Sequence, residues 1–157
     1  MNTKVLVKNA IVLALYMLTI SLNPYGFLMF QLRPGEALSV LPFFNRKYMP
    51  ALIVGGALAN ITSPLGPIDM VAGGSCAIIT YAISKYIKNP YINSGVFSLV
   101  SGILVSIMLF KTGNIDMSLK FPFLISVLSI AGSTLIVTVL ATWIIKTTKL
   151  KSIIEED

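Results

Sequence analysis

"QLRPGEALSVLPFF", residues 31–44, sets Arg33 and Glu36 three positions apart in a run otherwise suited to an apolar setting. On the surface of a soluble domain two such charges would need no explanation. Within a bilayer each would cost roughly 2.5–3.5 kcal/mol on insertion scales, so such groups face a protein interior or a wet cavity. Which of the two settings applies is decided by the rest of the chain.

The 157 residues are 55% hydrophobic and only 11% charged, with a mean hydropathy of +0.85. A soluble domain of this size needs more charge to cover its surface. Uncharged runs at 9–32, 48–68, 70–84, 89–110 and 121–145 approach the roughly 20 residues that cross a bilayer core. The chain therefore reads as an all-α, multi-pass integral membrane protein. Consecutive spans leave no room for a soluble unit, so residues 1–157 form one domain. The first apolar run has no small-residue cleavage motif behind it and reads as a span.

Prolines and short polar clusters divide the runs. A first helix is expected over 8–22, ended by Asn23-Pro24, and a short one over 34–44. Longer helices follow at 47–63, 67–87, 91–110 and 119–147. The second is too short to cross a typical bilayer alone, which leaves five crossings or six. With six and the N-terminus inside, nine basic residues (Lys4, Lys8, Arg46, Lys47, Lys85, Lys88, Lys146, Lys149 and Lys151) are cytoplasmic and three (Arg33, Lys111, Lys120) are outside. Five crossings give at best eight against four. The positive-inside rule favours six, with both termini cytoplasmic. The acidic tail, which that rule scarcely weighs, reads as a frayed, solvated end.

Six crossings place Arg33, Glu36, Asn60 and Asp69 at one depth, near the outer face. Apart from the tail and the loop residue Asp116, Glu36 and Asp69 are the only acids in the chain. Both follow a proline by two residues, Pro34 and Pro67, at an expected helix start. Each polar residue also has a purely structural account. A carboxylate in a first helical turn is favoured by the helix dipole, Glu36 can pair with Arg33 one turn away, and Asn60 can end a helix. A paired carboxylate can still offer an oxygen to a ligand, so four polar groups at one depth suggest an outward-facing polar pocket. Tyr25, Phe27, Phe43, Phe44 and Tyr81 are candidate aromatic lining, though aromatics are common at membrane interfaces.

Small-residue faces at Ala10–Ala14, Gly55-Gly56 with Ala59, and Gly73-Gly74 with Ala77 permit close helix approach. The chain has no histidine and one cysteine, Cys76, which reads as a small buried hydrophobe. That removes histidine acid/base chemistry, the usual zinc sites and any internal disulfide. There is no P-loop for ATP, no nucleophile–base pairing and no implied cofactor. The net charge of +6 lies in pairs at span edges and is not a nucleic-acid footprint. A polar outer pocket without an engine points to a subunit that captures a small molecule and borrows energy from partners.

"QLRPGEALSVLPFF", "MPALIVGGALANI" and "GPIDMVAGGSCAIITY" resemble the QueT family of substrate-binding (S) components of energy-coupling factor transporters. The matching positions are Arg33, Glu36-Ala37-Leu38, Leu41-Pro42, Gly55, Asn60, Asp69 and Gly73; Pro34-Gly35 departs from the more usual Ile-Ser. The resemblance implies a six-helix plasma-membrane protein that binds a queuosine precursor, a 7-deazaguanine such as 7-aminomethyl-7-deazaguanine or queuine. It implies partnership with a transmembrane coupling subunit and two ATPases, with Ala10 and Ala14 matching an Ala-x-x-x-Ala docking face. Within it, Glu36 would accept the pyrimidine-edge N–H donors, Arg33 would orient Glu36 or donate to O6, and Asn60 would donate or accept. Asp69 would meet an aminomethyl cation, and Tyr25, Phe27, Phe43 or Phe44 would stack on the ring. Two other readings stay open: an S component for another vitamin-like solute, and a structural or assembly membrane protein in which Arg33 and Glu36 pin helices together.

Overall fold

The computed structural model describes residues 3–23, 33–115, 118 and 120–155. Tyr25, Phe27 and Asp116 lie outside them. The described residues form helices and no strand. The chain runs through α1 (Thr3–Ser21), a 3-10 helix (Pro34–Val40) continued by α2 (Leu41–Phe44), and a 3-10 turn (Arg46–Tyr48) continued by α3 (Met49–Leu58). Then come α4 (Pro67–Ser84), α5 (Pro90–Lys111), α6 (Pro122–Thr147) and α7 (Leu150–Glu155).

Proline sets most of these starts. Six of the chain's eight prolines occupy the first or second position of a helix, where the missing N–H has no partner to lose. Asn45 and Asn89 add side-chain caps, accepting from Lys47 N at 3.1 Å and Tyr91 N at 3.0 Å. The expected boundaries hold within a few residues for α4, α5 and α6. Two differ more. The third helix ends at Leu58 rather than near 63, and Asn60 falls in the turn beyond it. The tail is not wholly frayed: α7 buries Ile154, and Asn45 Nδ2 donates to the Ile154 carbonyl at 2.8 Å.

Packing neighbours close into a ring: α1 against α3, α3 against α4, α4 against α5, α5 against α6, α6 against the 3-10 helix, and that helix against α1. Two contacts are glycine-tight. A Cβ on Gly73 would collide with the Gly56 carbonyl oxygen, and one on Gly102 would lie 2.8 Å from Ala131 Cβ, so backbones touch at α3–α4 and α5–α6 as small-residue packing allows.

The ring is apolar outside, and inside it two apolar clusters are interleaved with buried polar side chains. Leu6, Ile11, Val71, Leu99, Leu128 and Ile136 stand exposed, while Ser39, Ser94, Ser98, Ser106, Thr134 and Thr138 are buried. This suits a bilayer solvent. The helices α1, α4, α5 and α6 are long and apolar enough to cross one; α3, with 10 residues, is about 15 Å long, half a bilayer core. The two ends differ in chemistry. At one, Arg46 Nη2 donates to the Lys85 carbonyl at 3.0 Å, and Lys146 lies 4.5 Å over the Tyr91 ring. At the other, Ser21 Oγ donates to the Ala59 carbonyl at 3.3 Å, and Arg33 reaches Asn60.

Candidate functional site

Residues 34–40 wind as a 3-10 helix, with Glu36 N donating to the Arg33 carbonyl at 2.9 Å. Proline at 42 has no N–H to give an i−4 acceptor, which suits the tighter winding before it. Three residues per turn then align positions i, i+3 and i+6. Arg33, Glu36 and Ser39 therefore share one face, and all three are buried. The opposite flank, Pro34, Ala37, Leu38 and Leu41, is apolar.

Arg33 Nη1 donates to Asn60 Oδ1 at 3.2 Å, and Asn60 Nδ2 donates back to the Gly56 carbonyl at 2.8 Å. The amide is thus oriented by α3 and holds the guanidinium. Glu36 stands beside the Arg33 charge and the Thr134 hydroxyl of α6. Its Oε2 is buried and accepts no hydrogen bond from the described residues. An unsatisfied buried carboxylate oxygen is costly, so it requires an explanation.

The walls around it come from every side of the ring. Tyr16 of α1 lies near Ser39 and the charges of Glu36 and Arg33. Tyr81 of α4 donates its hydroxyl to the Ser39 carbonyl at 3.0 Å. Cys76, buried on α4 as expected, lies near Ser101 of α5 and near the charges of Glu36, Arg33 and Asp69. Asp69 is 2% exposed in the first turn of α4. Gly66 precedes that helix at φ 62°, a left-handed turn that glycine enters without strain.

All four expected polar residues are thus buried, and Arg33 and Asn60 are bonded directly. Phe43 packs edge-on against Tyr81, ring centroids 5.9 Å apart, within the larger apolar cluster. Phe44 is half-buried in the same cluster. Ala10 and Ala14 are exposed on the outer face of α1. Sequence reasoning missed Tyr16, Ser39, Ser101 and Thr134 as lining. The i, i+3, i+6 spacing of Arg33, Glu36 and Ser39 could have revealed Ser39; the other three sit in apolar helices among many similar residues and give no local signal.

The arrangement offers hydrogen-bond acceptors, a fixed cation and an amide in an apolar ring. No group of His, Cys, Asp and Glu that could hold a metal ion occurs among the described residues. Such a site suits recognition of a small polar molecule. A model of the QueT transporter family matches residues 6–150, nearly the whole chain. No curated protein and no solved structure matches it.

Proposed function

The chain belongs to the QueT transporter family, a family of transporters and not of enzymes, and on that premise we propose that it captures a 7-deazaguanine for an energy-coupling factor importer. The observation that carries this reading is Glu36 Oε2, buried inside the ring without a hydrogen bond from the described residues. A 7-deazaguanine brings two adjacent N–H donors on its pyrimidine edge, which a carboxylate accepts side by side. Arg33, oriented by Asn60, faces the ring oxygen. Asp69 meets the cation of an aminomethyl substituent, since opposite charges attract strongly where water is scarce. Tyr25, Phe27, Phe43 or Phe44 supplies a stacking face.

The same reading makes residues 1–157 one plasma-membrane domain of six crossings: α1, 34–44, 46–58, α4, α5 and α6. Both termini are cytoplasmic, because the end that gathers Arg46, Lys85 and Lys146 is then the cytoplasmic one, and the pocket opens outward. Lacking a nucleotide site of the usual kind, the chain takes its energy from a coupling subunit and two ATPases and topples within the membrane to release its load. Ala10 and Ala14, small and exposed on α1, form the docking face.

Isothermal titration of the detergent-purified chain with 7-aminomethyl-7-deazaguanine, queuine and guanine tests the substrate. Tight binding of a deazaguanine that weakens about thirtyfold in Glu36→Gln is expected. Absence of binding to all three would remove the substrate assignment, and an unimpaired Glu36→Gln would remove the role of Glu36.

A further inference from the structure

Outside the polar centre, a groove of about 650 Å³ runs between the 3-10 helix, α6 and α7. Pro34, Leu38 and Leu41 form one wall, Ile136, Leu140 and Ile144 the other, and Leu150 and Ile154 of α7 its end. All its lining residues are apolar. Ile136, Leu140 and Ile144 are 60%, 54% and 44% exposed, so the groove opens sideways. On a helix of bilayer-spanning length and apolarity, sideways means towards lipid.

The groove follows α6 from Ile136 to Ile145, a path of about 14 Å at 1.5 Å per residue. That suits an extended hydrocarbon chain better than a globular solute. Its α7 end carries three lysines ahead of the acidic tail, Glu155, Glu156 and Asp157. Lys149 and Lys151 are exposed on either side of Leu150, and Lys146 is one residue beyond Ile145, over the Tyr91 ring. Glu155, 3.9 Å from Lys151, is the opposing charge described there. The hydrogen bond from Asn45 to Ile154 fixes α7 across the groove's end, so the lysines stand where a lipid's polar head would lie. Basic clusters at a span's end attract anionic headgroups, and the attraction is screened by salt.

We propose that this groove is a binding site for an anionic phospholipid of the surrounding bilayer, with one acyl chain along α6 and the phosphate against Lys149 and Lys151. The inference rests on the membrane setting and not on the transport reading.

The chain's single tryptophan, Trp143, is 56% exposed on α6 beside the groove-lining Ile144; it is not itself a lining residue and senses lipid at the groove's edge. The full chain is reconstituted in phosphatidylcholine in which one lipid in ten is replaced by dibrominated phosphatidylglycerol or, in parallel, by dibrominated phosphatidylcholine. Selective occupancy gives at least twofold more quenching of Trp143 by the anionic lipid at low salt. The excess should shrink at high salt and disappear in the Lys149→Glu/Lys151→Glu variant, whose exposed substitutions spare the core. Equal quenching by the two lipids overturns the proposal, as does an excess that survives the charge reversal. Cross-links from Leu140 to a partner protein that abolish the excess would also overturn it, by making the groove a protein docking face.

Discussion

Two regions inside the ring bury polar groups, and they differ in what their hydroxyl and carboxylate oxygens meet. Along α5 and α6 the hydroxyls satisfy one another or the backbone: Ser94 meets Thr142 at 3.0 Å, Ser106 meets Ser126 at 2.9 Å, and Ser98 donates to the Ser94 carbonyl at 2.8 Å. Around the 3-10 helix, a carboxylate oxygen is buried without a hydrogen bond from the described residues. The first pattern is what helix association in a bilayer uses, with bonds that hold spans together. The second also ties elements together, through Arg33 to Asn60 and Tyr81 to the Ser39 carbonyl, but its open acceptor has no hydrogen bond to lose. The difference separates a polar seam that belongs to the architecture from a polar centre that awaits a partner.

The largest effect is expected where architecture and site share an atom. A Cβ at Gly73 would strike the Gly56 carbonyl oxygen and crowd Asn60 Nδ2, the group that orients the Arg33 acceptor. Backbone cannot yield as a flexible side chain can, so Gly73→Ala should lower unfolding stability by about 3 kcal/mol, the upper range for overpacking. Gly95 and Gly132 have open space where a Cβ would go; alanine at either should be neutral or stabilising by up to about 1 kcal/mol. Thermal unfolding in detergent measures all three. Equal behaviour of Gly73→Ala and Gly95→Ala would show that the α3–α4 contact is looser than described.

Glu36→Gln comes next and divides the two regions most directly. Replacing a charged acceptor by a neutral amide should weaken deazaguanine binding by about 2 kcal/mol, near thirtyfold in Kd. The ligand-free chain should also lose some stability, because the amide takes the opposing charge away from the buried Arg33 guanidinium, although Oε2 itself makes no hydrogen bond to lose. Titration and unfolding on one preparation check both halves. A fall in stability with unchanged binding would assign Glu36 to the architecture, as the helix-pinning reading has it.

Much of this contrast was legible in the sequence, and its limits have physical causes. Arg33, Glu36, Asn60 and Asp69 declared themselves because charge and amide in an apolar run are costly and therefore rare. Proline marked the helix starts because only first-turn positions tolerate it. The winding of residues 34–40 was not legible, since 3-10 and α patterns differ little over seven residues, yet that winding sets Ser39 in line with Glu36. Thr134 was hidden for another reason. It lies on α6 with Ser126, Ser133, Thr138 and Thr142, and only the closing of the ring determines which hydroxyl meets the carboxylate. The helix α7 escaped because six residues carry too short a pattern, and its place is set by a hydrogen bond to Asn45, 109 positions away.

The smallest expected effect tests the seam itself. Ser94 and Thr142 touch across α5 and α6 at 3.0 Å, both fully buried. Interhelical hydrogen bonds in membranes average about 0.6 kcal/mol in double-mutant cycles, because the separated helices find other partners in lipid. Ser94 illustrates the reason within this chain: its hydroxyl is also 3.0 Å from the Pro90 carbonyl, a partner available without α6. A cycle of Ser94→Ala, Thr142→Val and the double variant, read by unfolding, should therefore return a coupling of about 0.6 kcal/mol and leave ligand affinity unchanged. A coupling several times larger would mean that the seam is the principal fastening of α5 to α6. Altered affinity would mean that the seam and the polar centre act as one network, and the distinction between them would fall.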